Sequence, residues 1–356
     1  MTSNERHERF DVSIVGELNP DLILYGLPRD LPEERETLAS GFTMTLGSSS
    51  AILAHNLASL GTRVSFTSRI GPDALGEMCC QRLRDAGVDL SGVVRSATGS
   101  STGVTLILPL TDTRRILTYP GAMFEMGIDD IDIGWLASAG HFHMSSLFLH
   151  RRLSPDIPDL FREMKRRGLS TSLDTNDDPD DRWEGGLNEV LKYVDVLLPN
   201  EREACKMAAV EDFESAIRKL SERVPLVAVK LGPKGALAQR GSERFVSPPV
   251  KVVPVDTVGA GDSFDAGFLH EYVQGADLWN CLEFGNLVGA LSTTRTGGTE
   301  AFRDADYRKN FFREHTRDSS SANKNAVSCA GLSAVSDAVT SWMMLFSVPA
   351  ASSARR

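Results

Sequence analysis

The stretch VDTVGAGDSFDAG, residues 255–267, places three small residues directly before an acid. Gly259, Ala260 and Gly261 leave backbone N–H groups uncovered at the predicted start of a helix, where the positive end of the helix dipole attracts an anion. Asp262 follows them, and it either caps the helix or takes a proton from a hydroxyl that attacks a bound phosphoryl group. The second interpretation predicts an anion hole at residues 259–261 and a general base at Asp262.

The flanking residues indicate which elements hold this stretch. Residues 251–256, KVVPVD, are predicted to form a strand that ends where the glycines begin. The helix is predicted to begin near Gly261, to carry aromatic residues on related faces and to end before Gly275. The sequence contains no GxxxxGK[ST] motif, which disfavours a P-loop enzyme.

Elsewhere, strand-like and helix-like segments alternate along the chain. Strands are predicted at residues 11–17, 63–71, 141–145, 170–174, 194–200 and 226–232, and helices at residues 73–87, 158–168 and 213–222. This alternation predicts an α/β fold with a mostly parallel central sheet covered by helices on both faces.

Two segments break the alternation. Residues 19–46 and 90–120 hold short β-patterned runs with turn signals, which predict a small antiparallel sheet beside the main body. The main domain is expected to cover residues 10–317. Residues 318–356 are rich in serine and alanine and predict a poorly ordered tail, although WMMLF at residues 342–346 could instead dock on the body or on a partner.

Composition narrows the classes of protein. The net charge of −10 would repel a nucleic acid backbone, and no segregated basic patch is visible. The N-terminus has no apolar segment, and no run of 18 uncharged apolar residues occurs, so we expect neither export nor a membrane span. The five cysteines have no CxxC spacing, which favours reduced thiols and a cytoplasmic location; they are Cys79, Cys80, Cys205, Cys281 and Cys329.

The opening stretch also carries a family resemblance. DTVGAGDSFDAGFL, residues 256–269, resembles without a gap the C-terminal signature of the ribokinase-like (PfkB) carbohydrate kinases. The resemblance implies a three-layer α/β/α fold in which the irregular β segments form a lid over the sugar. It assigns the general base to Asp262 and the anion hole to residues 259–261. It also implies a candidate monovalent-cation site near Asp256 and Thr257.

Further motifs in the C-terminal half resemble family elements in the same order. PNEREA, residues 199–204, resembles the NxxE element, in which Asn200 and Glu203 help to place magnesium through water and Asn200 lies near the nucleotide. KLGPKGA, residues 230–236, resembles a turn that lines the nucleotide site, which implies nucleotide contacts at Lys230, Gly232 and Gly235.

Two more stretches add to the nucleotide side. FGNLVGALSTTRTGG, residues 284–298, resembles the adenine-side helix and loop, which assigns Asn286 to the nucleotide and Gly298 to the candidate cation site. LDTNDDPDDRW, residues 173–183, places Asp174 and Asn176 near the nucleotide and acceptor, with Arg182 in a structural role.

The acceptor is expected in the N-terminal half. GELNPD, residues 16–21, resembles the opening turn in which an Asn and an Asp bind sugar hydroxyls, here Asn19 and Asp21, although NPD taken alone is better explained by an Asx turn.

The family's N-terminal signature is matched only in part. Its opening glycine pair corresponds here to Gly47 and Ser48, and Ile52 occupies the position of a sugar-binding Asn. An isoleucine side chain forms no hydrogen bonds, so Asn56, one turn further along the helix, is a candidate replacement.

An arginine pair and a histidine pair are further candidates for binding residues. Arg114 and Arg115 lie on the predicted lid, where either one of them meets the acceptor or both are solvated hairpin residues. His141 and His143 are two apart on a strand, which is a spacing for metal ligands, but packing at the sheet edge is the favoured interpretation.

Together these features predict an ATP-dependent sugar kinase that transfers the γ-phosphoryl group to a hydroxyl, most simply a primary one, with ATP and Mg²⁺ and with K⁺ as a candidate. The alternatives are a nucleoside kinase of the same fold and a catalytically inactive protein that senses a sugar or nucleotide. A phosphosugar kinase is disfavoured, because only Arg114 and Arg115 could meet a second phosphate. The resemblance also implies a homodimer formed through the lid, and we expect no nucleic acid or membrane partner.

Overall fold

The computed structural model describes residues 9–110 and 113–319. The predicted end of the main domain at residue 317 falls inside the last helix, which continues to Ser319. Residues 320–356 of the predicted tail, with Cys329 and the WMMLF stretch, lie outside the described residues, as do residues 111 and 112 of the lid.

The strands are β1 (Phe10–Val15), β2 (Pro20–Tyr25), β3 (Gly41–Leu46), β4 (Val64–Ile70), β5 (Asp89–Arg95), β6 (Val104–Pro109), β7 (Arg114–Tyr119), β8 (Ala139–Ser145), β9 (Ser170–Asp174), β10 (Val196–Leu197), β11 (Leu226–Lys230), β12 (Ala236–Arg240) and β13 (Glu243–Ser247). The helices are α1 (Ser49–Leu60), α2 (Ala74–Ala86), α3 (Ile133–Leu136), α4 (Ile157–Arg166), α5 (Leu187–Val190), α6 (Glu201–Ala208), α7 (Phe213–Ser221), α8 (Ala260–Val273), α9 (Leu278–Ser292) and α10 (Ala305–Ser319).

Within the described part of the chain, the main sheet has nine strands in the order β13-β12-β11-β10-β9-β8-β1-β4-β5. The strands from β11 to β5 pair in parallel, and the β12–β13 hairpin continues the β11 edge in antiparallel fashion. Two apolar clusters cover the two faces. One packs α4, α6 and α7 against the sheet, and the other packs α1, α2, α8 and α9. The predicted α/β architecture is therefore confirmed.

The lid is a separate sheet of four strands in the order β3-β2-β6-β7. The predicted all-antiparallel arrangement is wrong, since β2 and β6 at its centre pair in parallel. The predicted lid segment at residues 90–120 also begins too early, because β5 is the edge strand of the main sheet and pairs with β4. The chain passes between the two sheets after β1 and again after β5, which is why β2 and β6 run in the same direction.

The predicted strand at residues 251–256 is absent, since no β-structure is assigned there. Pro254 has no N–H to donate to a sheet ladder, and Val253 is 89% exposed. The Val255 amide instead donates to the Thr293 carbonyl oxygen at 2.7 Å. The start of α8 is thus held by the loop after α9 rather than by a strand.

His141 and His143 lie in the middle of the sheet on β8, between β1 and β9, and not at its edge. Both are buried, and burial lowers the pKa of His141 to about 4 and that of His143 to about 3. Their ring nitrogens are hydrogen-bonded to serine hydroxyls, which explains how neutral imidazoles are accommodated there. Within residues 9–110 and 113–319, no group of three or more metal-ligating side chains is found.

The described cysteines, Cys79, Cys80, Cys205 and Cys281, are free thiols. In the same part of the chain, none of the helices combines the length and the apolar character that a bilayer crossing requires.

Candidate active site

The site forms where the parallel strands of the main sheet end. Glu17 and Asn19 follow β1, while Asp174 and Lys230 are the last residues of β9 and β11. Because the carboxyl ends of parallel strands share one edge, these side chains converge there, as ligand-binding residues do in α/β folds. Lys230 Nζ lies 2.7 Å from Asp174 Oδ2, which shows that residues from separate strands meet.

The first turn of α8 faces this edge. Gly259 is the N-cap, with the positive φ of 72° that glycine tolerates, and no side chain caps the helix there. The Ala260 amide donates to the Thr257 carbonyl oxygen, whereas the amides of Gly261 and Asp262 have no acceptor within the helix and can point to the cleft. No side-chain hydrogen bond caps this helix start, so capping does not explain the acid at position 262.

The carboxyl group of Asp262 lies in an acidic environment. Removal from solvent and the nearby Asp174 carboxylate raise the pKa of Asp262 to about 6, while Lys230 and a hydrogen bond from the Ser49 hydroxyl act in the opposite direction. A carboxylate with this pKa is largely ionised at neutral pH and still basic enough to accept a proton from an attacking alcohol.

Gly259 and Gly298 touch each other. A Cβ atom at Gly259 would lie 2.5 Å from Gly298 Cα, and a Cβ atom at Gly298 would lie 2.8 Å from Ile52 Cδ1. Ile52 is 2% exposed, and its buried side chain packs against both glycines. This contact explains an isoleucine at a position where the family resemblance places a sugar-binding amide.

Asn56 does not take over that amide's role. It is fully buried, and its Nδ2 donates to Ser263 Oγ and to the Gly298 carbonyl oxygen, both at 3.0 Å. Its Oδ1 lies 2.9 Å from His55 Nδ1. Since the protein occupies both donor positions, the expected acceptor contact at Asn56 is not supported, and the residue ties α1 to α8 and to the loop after α9.

Asn19 and Asp21 lie between the body and the lid. Ser48 Oγ donates to Asn19 Oδ1 at 2.7 Å, and Asn19 Nδ2 donates to Thr105 Oγ1 on β6 at 3.2 Å. Burial, with Asp262 close by, raises the pKa of Asp21 to about 7. Gly47 is needed beside it, because a Cβ atom there would lie 2.1 Å from Asp21 Oδ1.

Asn200 and Glu203 form a capping box at the start of α6. The Glu203 amide donates to Asn200 Oδ1 at 2.9 Å, and the Asn200 amide donates to Glu203 Oε2 at 2.9 Å. Burial and the Asp174 carboxylate raise the pKa of Glu203 to about 7. These side chains already hold each other, so they fit a contact to magnesium through water better than direct ligation.

The predicted nucleotide residues Gly235 and Asn286 meet at the end of β13. Gly235 has a positive φ of 94°, and a Cβ atom there would lie 2.1 Å from the Ser247 carbonyl oxygen. Asn286 Nδ2 donates to Ser247 Oγ at 3.0 Å and to the Pro248 carbonyl oxygen at 3.1 Å. Gly232, with a φ of 57°, borders open space at the preceding turn.

Asp256 organises the loop before α8. Its Oδ1 accepts from the Val258 amide at 3.0 Å, and its Oδ2 accepts from the Gly297 amide at 2.9 Å. The Thr257 carbonyl oxygen accepts from the Ala260 amide at 3.3 Å. Asp256, Thr257 and Gly298 are therefore brought together, as the candidate cation site requires.

The remaining predicted residues lie around the rim. Asn176 Oδ1 accepts from the Ser146 amide at 2.9 Å, and Arg182 is ion-paired with Asp180 at the surface. Arg114 occupies the lid face that carries Asp21, whereas Arg115 lies on the other face and donates to the Arg29 carbonyl oxygen.

Two site residues were missed from the sequence. Glu17 is 3% exposed and accepts from the hydroxyls of Ser50 and Ser146, each at 2.8 Å. Asp265 is fully buried, and its Oδ2 lies 3.0 Å from Lys230 Nζ. Its spacing of one helical turn from Asp262 was the available signal.

The family profile described as pfkB family carbohydrate kinase matches residues 9–305. The chain belongs to this family. It is therefore a carbohydrate kinase, a phosphotransferase with an alcohol group as the acceptor.

Named relatives of this pfkB chain differ in their acceptors. It is similar to an ATP-dependent ribose-1-phosphate kinase from Halopiger xanaduensis, with 32% identity over 72% of this chain and 82% of the relative. Two solved structures are also similar to it, each with 25% identity over 85% of this chain and 99% of the other. They are Arabidopsis thaliana ribokinase complexed with ribose and ATP, with a TM-score of 0.72, and adenosine kinase from Sinorhizobium meliloti, with a TM-score of 0.73.

Asn56→Ala should destabilise the protein without changing acceptor affinity. The substitution leaves the buried Gly298 carbonyl oxygen without its amide donor, and the expected loss in free energy of unfolding is about 1–3 kcal/mol. Urea unfolding measures this loss, with the exposed Asn280→Ala as the control variant. A raised acceptor KM at unchanged stability would show that Asn56 contacts the acceptor.

Proposed function

We propose that this kinase transfers the γ-phosphoryl group of ATP to a hydroxyl, most simply a primary one, of a small uncharged carbohydrate, with Asp262 as general base. The observation that carries the proposal is the placement of Asp262, whose pKa is raised to about 6, in the first turn of α8 beside the Gly261 amide, at a helix start that no side chain caps. Asp262 accepts the hydroxyl proton as the acceptor oxygen bonds to the γ-phosphorus and the bond to the ADP oxygen breaks. The amides at residues 259–261 stabilise the charge on the transferring group.

The inner face of the lid favours a polyhydroxylated acceptor. Strand pairing aligns Thr45, Asp21, Thr105 and Thr118 in one row across the four strands, on the face that also carries Ile23 and Ile107. Those two isoleucines form a buried cluster with Val258, which directs this face toward the anion hole. The Asp21 carboxyl group and the hydroxyls of Thr105 and Thr118 can each bind a sugar hydroxyl, whereas the buried Thr45 hydroxyl donates to Glu300 Oε1 at 3.2 Å.

The charges around the acceptor disfavour a second phosphate. Glu17, Asp21 and Asp262 lie together at this end of the cleft, and Asp21 interacts electrostatically with Asp262, Arg114 and Glu17. Arg114 lies four residues along β7 from Thr118, outside the polar row, whose one charged member is Asp21. A neutral sugar avoids repulsion that a phosphosugar would experience.

The opposite side of the cleft suits a nucleotide with magnesium. Gly232, Gly235 and Asn286 border one region, while Asp174, Lys230 and Asn200 lie between that region and the anion hole. Asn200 and Glu203 would hold magnesium through water, and the ion would neutralise phosphate charge when bound. Asp256, Thr257 and Gly298 are the corresponding candidate for a monovalent cation such as K⁺.

A homodimer formed through the lid completes the proposal. The outer lid face is apolar and open, with Phe42 61%, Met44 41%, Leu117 55% and Tyr119 57% exposed. Apolar side chains at this density on one sheet face are typical of a protein interface, and a second copy of the same face is self-complementary about a two-fold axis.

Asp262→Asn should reduce kcat by about 10²–10⁴ while ATP binding is retained, because only the proton acceptor is lost. Steady-state kinetics and calorimetric titration with ATP measure the two properties. The control is Asp306→Asn, an exposed acid in the first turn of α10. Full turnover in the Asp262 variant would refute the assignment of the base.

An ADP-release assay with a panel of acceptors tests the substrate class. We expect turnover with one or more neutral sugars and none with ribose 1-phosphate, because the acidic groups around the acceptor repel a second phosphate. Turnover confined to adenosine would establish a nucleoside kinase, and turnover confined to ribose 1-phosphate would refute the neutral acceptor. Acceptor binding without turnover would support a sensing protein.

Phe42→Glu should convert the dimer to a monomer, because a charge buried in an apolar interface has no partner. Light scattering coupled to size exclusion measures the mass against the 38.7 kDa chain. Val253→Glu, at an exposed apolar residue away from the lid, is the control and should stay dimeric. A monomeric wild type at micromolar concentration would contradict the proposal.

A further inference from the structure

Lys230 lies beside the first turn of α8. A Cβ atom built at Gly261 would lie 3.6 Å from Lys230 Cδ and 3.8 Å from its Nζ. The ammonium group therefore approaches the backbone of the proposed anion hole from the end of β11.

Two buried carboxylates fix the position of this ammonium group. Lys230 Nζ lies 2.7 Å from Asp174 Oδ2 and 3.0 Å from Asp265 Oδ2, and the three side chains are 12%, 1% and 1% exposed. Although burial alone lowers it, the pKa of Lys230 is held above its ordinary value by Asp174 and Asp265, so the charge is permanent at physiological pH. A buried ion pair adds little net stability, because desolvation offsets the attraction, so this arrangement needs another explanation.

The surroundings of Asp262 supply that explanation. Acidic groups approach it from separate elements: Glu17 after β1, Asp21 on β2 and Asp174 on β9, with Asp265 on its own helix. The positive groups in this cleft are Lys230, facing Asp174 and Asp262, and Arg114, facing Asp21 from the lid. Without Lys230, Asp174 would stand uncompensated beside Asp262, and two like charges in a buried site disfavour each other.

We propose that Lys230 is a positioning residue for phosphoryl transfer, whose fixed ammonium group balances Asp174 and Asp265 and thereby allows Asp262 to be ionised next to the anion hole. This inference rests on the proposed role of Asp262 as general base. It replaces the expected nucleotide contact at Lys230, because the short hydrogen bonds of the ammonium group go to carboxylates of the protein.

The test is the pH dependence of kcat/KM for the acceptor at saturating ATP. In the wild type, activity should fall as the pH drops through about 6, since Asp262 becomes protonated. Lys230→Met should move this acidic limb to higher pH by about one unit or more, because Asp174 is left uncompensated. Asp174→Asn should move it to lower pH, and the charge-balanced double variant should return it close to the wild-type position.

Lys234→Met is the matched control, since Lys234 lies four residues away and its exposed ammonium group pairs with Glu201. It should leave the limb in place. An unmoved limb in Lys230→Met, or a rise confined to the KM for ATP, would overturn the proposal in favour of a nucleotide contact. A double variant whose limb stays at the position of Lys230→Met would overturn it as well.

If Lys230→Met does not fold, as circular dichroism would reveal, the other two variants still decide the matter. An acidic limb that moves to lower pH in Asp174→Asn and returns to the wild-type pH in the double variant supports charge balance. An unmoved acidic limb in Asp174→Asn refutes it. Asp262→Asn separates the two ideas. Retained activity in Asp262→Asn refutes its role as the base. If Asp262→Asn is inactive but the acidic limb is unmoved in the Lys230 and Asp174 variants, only the role of Lys230 is refuted.

Discussion

The contact between Gly259 and Gly298 is the constraint on which the rest of the site depends. The first turn of α8 can lie against the loop after α9 only where neither backbone carries a side chain, because a Cβ atom at Gly259 would lie 2.5 Å from Gly298 Cα. Asn56 binds the Gly298 carbonyl oxygen from one side, and Asp256 binds the Gly297 amide from the other. Both loops are fixed in this way without a ligand, and under the proposed role of the first turn of α8 this would lower the reorganisation that phosphoryl transfer requires.

The electrostatic design of the cleft follows from that fixed geometry. Glu17 and Asp174 lie at the carboxyl-terminal edge of the main sheet and interact with acids on the lid and on helices, and removal from solvent raises the pKa of Asp21, Glu203 and Asp262. Because like charges in a buried site disfavour each other, these acids are not all ionised together, and the protonation state of each depends on the positive charge nearest to it. Bound magnesium would add positive charge to the same region, which couples nucleotide binding to the ionisation of the acids.

Sequence reasoning predicted local features more completely than the connections between distant segments. The alternating strands and helices were predicted correctly because their patterns are local, and the first-turn glycines and Asp262 were proposed as a site on similarly local grounds. Three expectations were wrong for non-local reasons: residues 251–256 are held by Thr293 instead of a strand, β5 joins the main sheet, and β2 pairs in parallel with β6. Likewise, the role of Asn56 depends on Gly298, 242 residues away, and that of Asp265 on Lys230, which no motif connects.

The path of the chain through the two sheets separates the two halves of the reaction. In the proposed function, the groups for the phosphates belong to β9, β11, α6 and α8, while the row for the acceptor belongs to the lid strands, which Leu18 and Asn19 connect to β1. On this proposal, substitutions on the lid change which alcohol is accepted and leave the phosphate-binding groups unchanged. In a fold divided in this manner, new acceptor specificities can arise through changes in the lid sequence alone. Relatives that share one transfer chemistry but differ in their acceptors are the expected outcome.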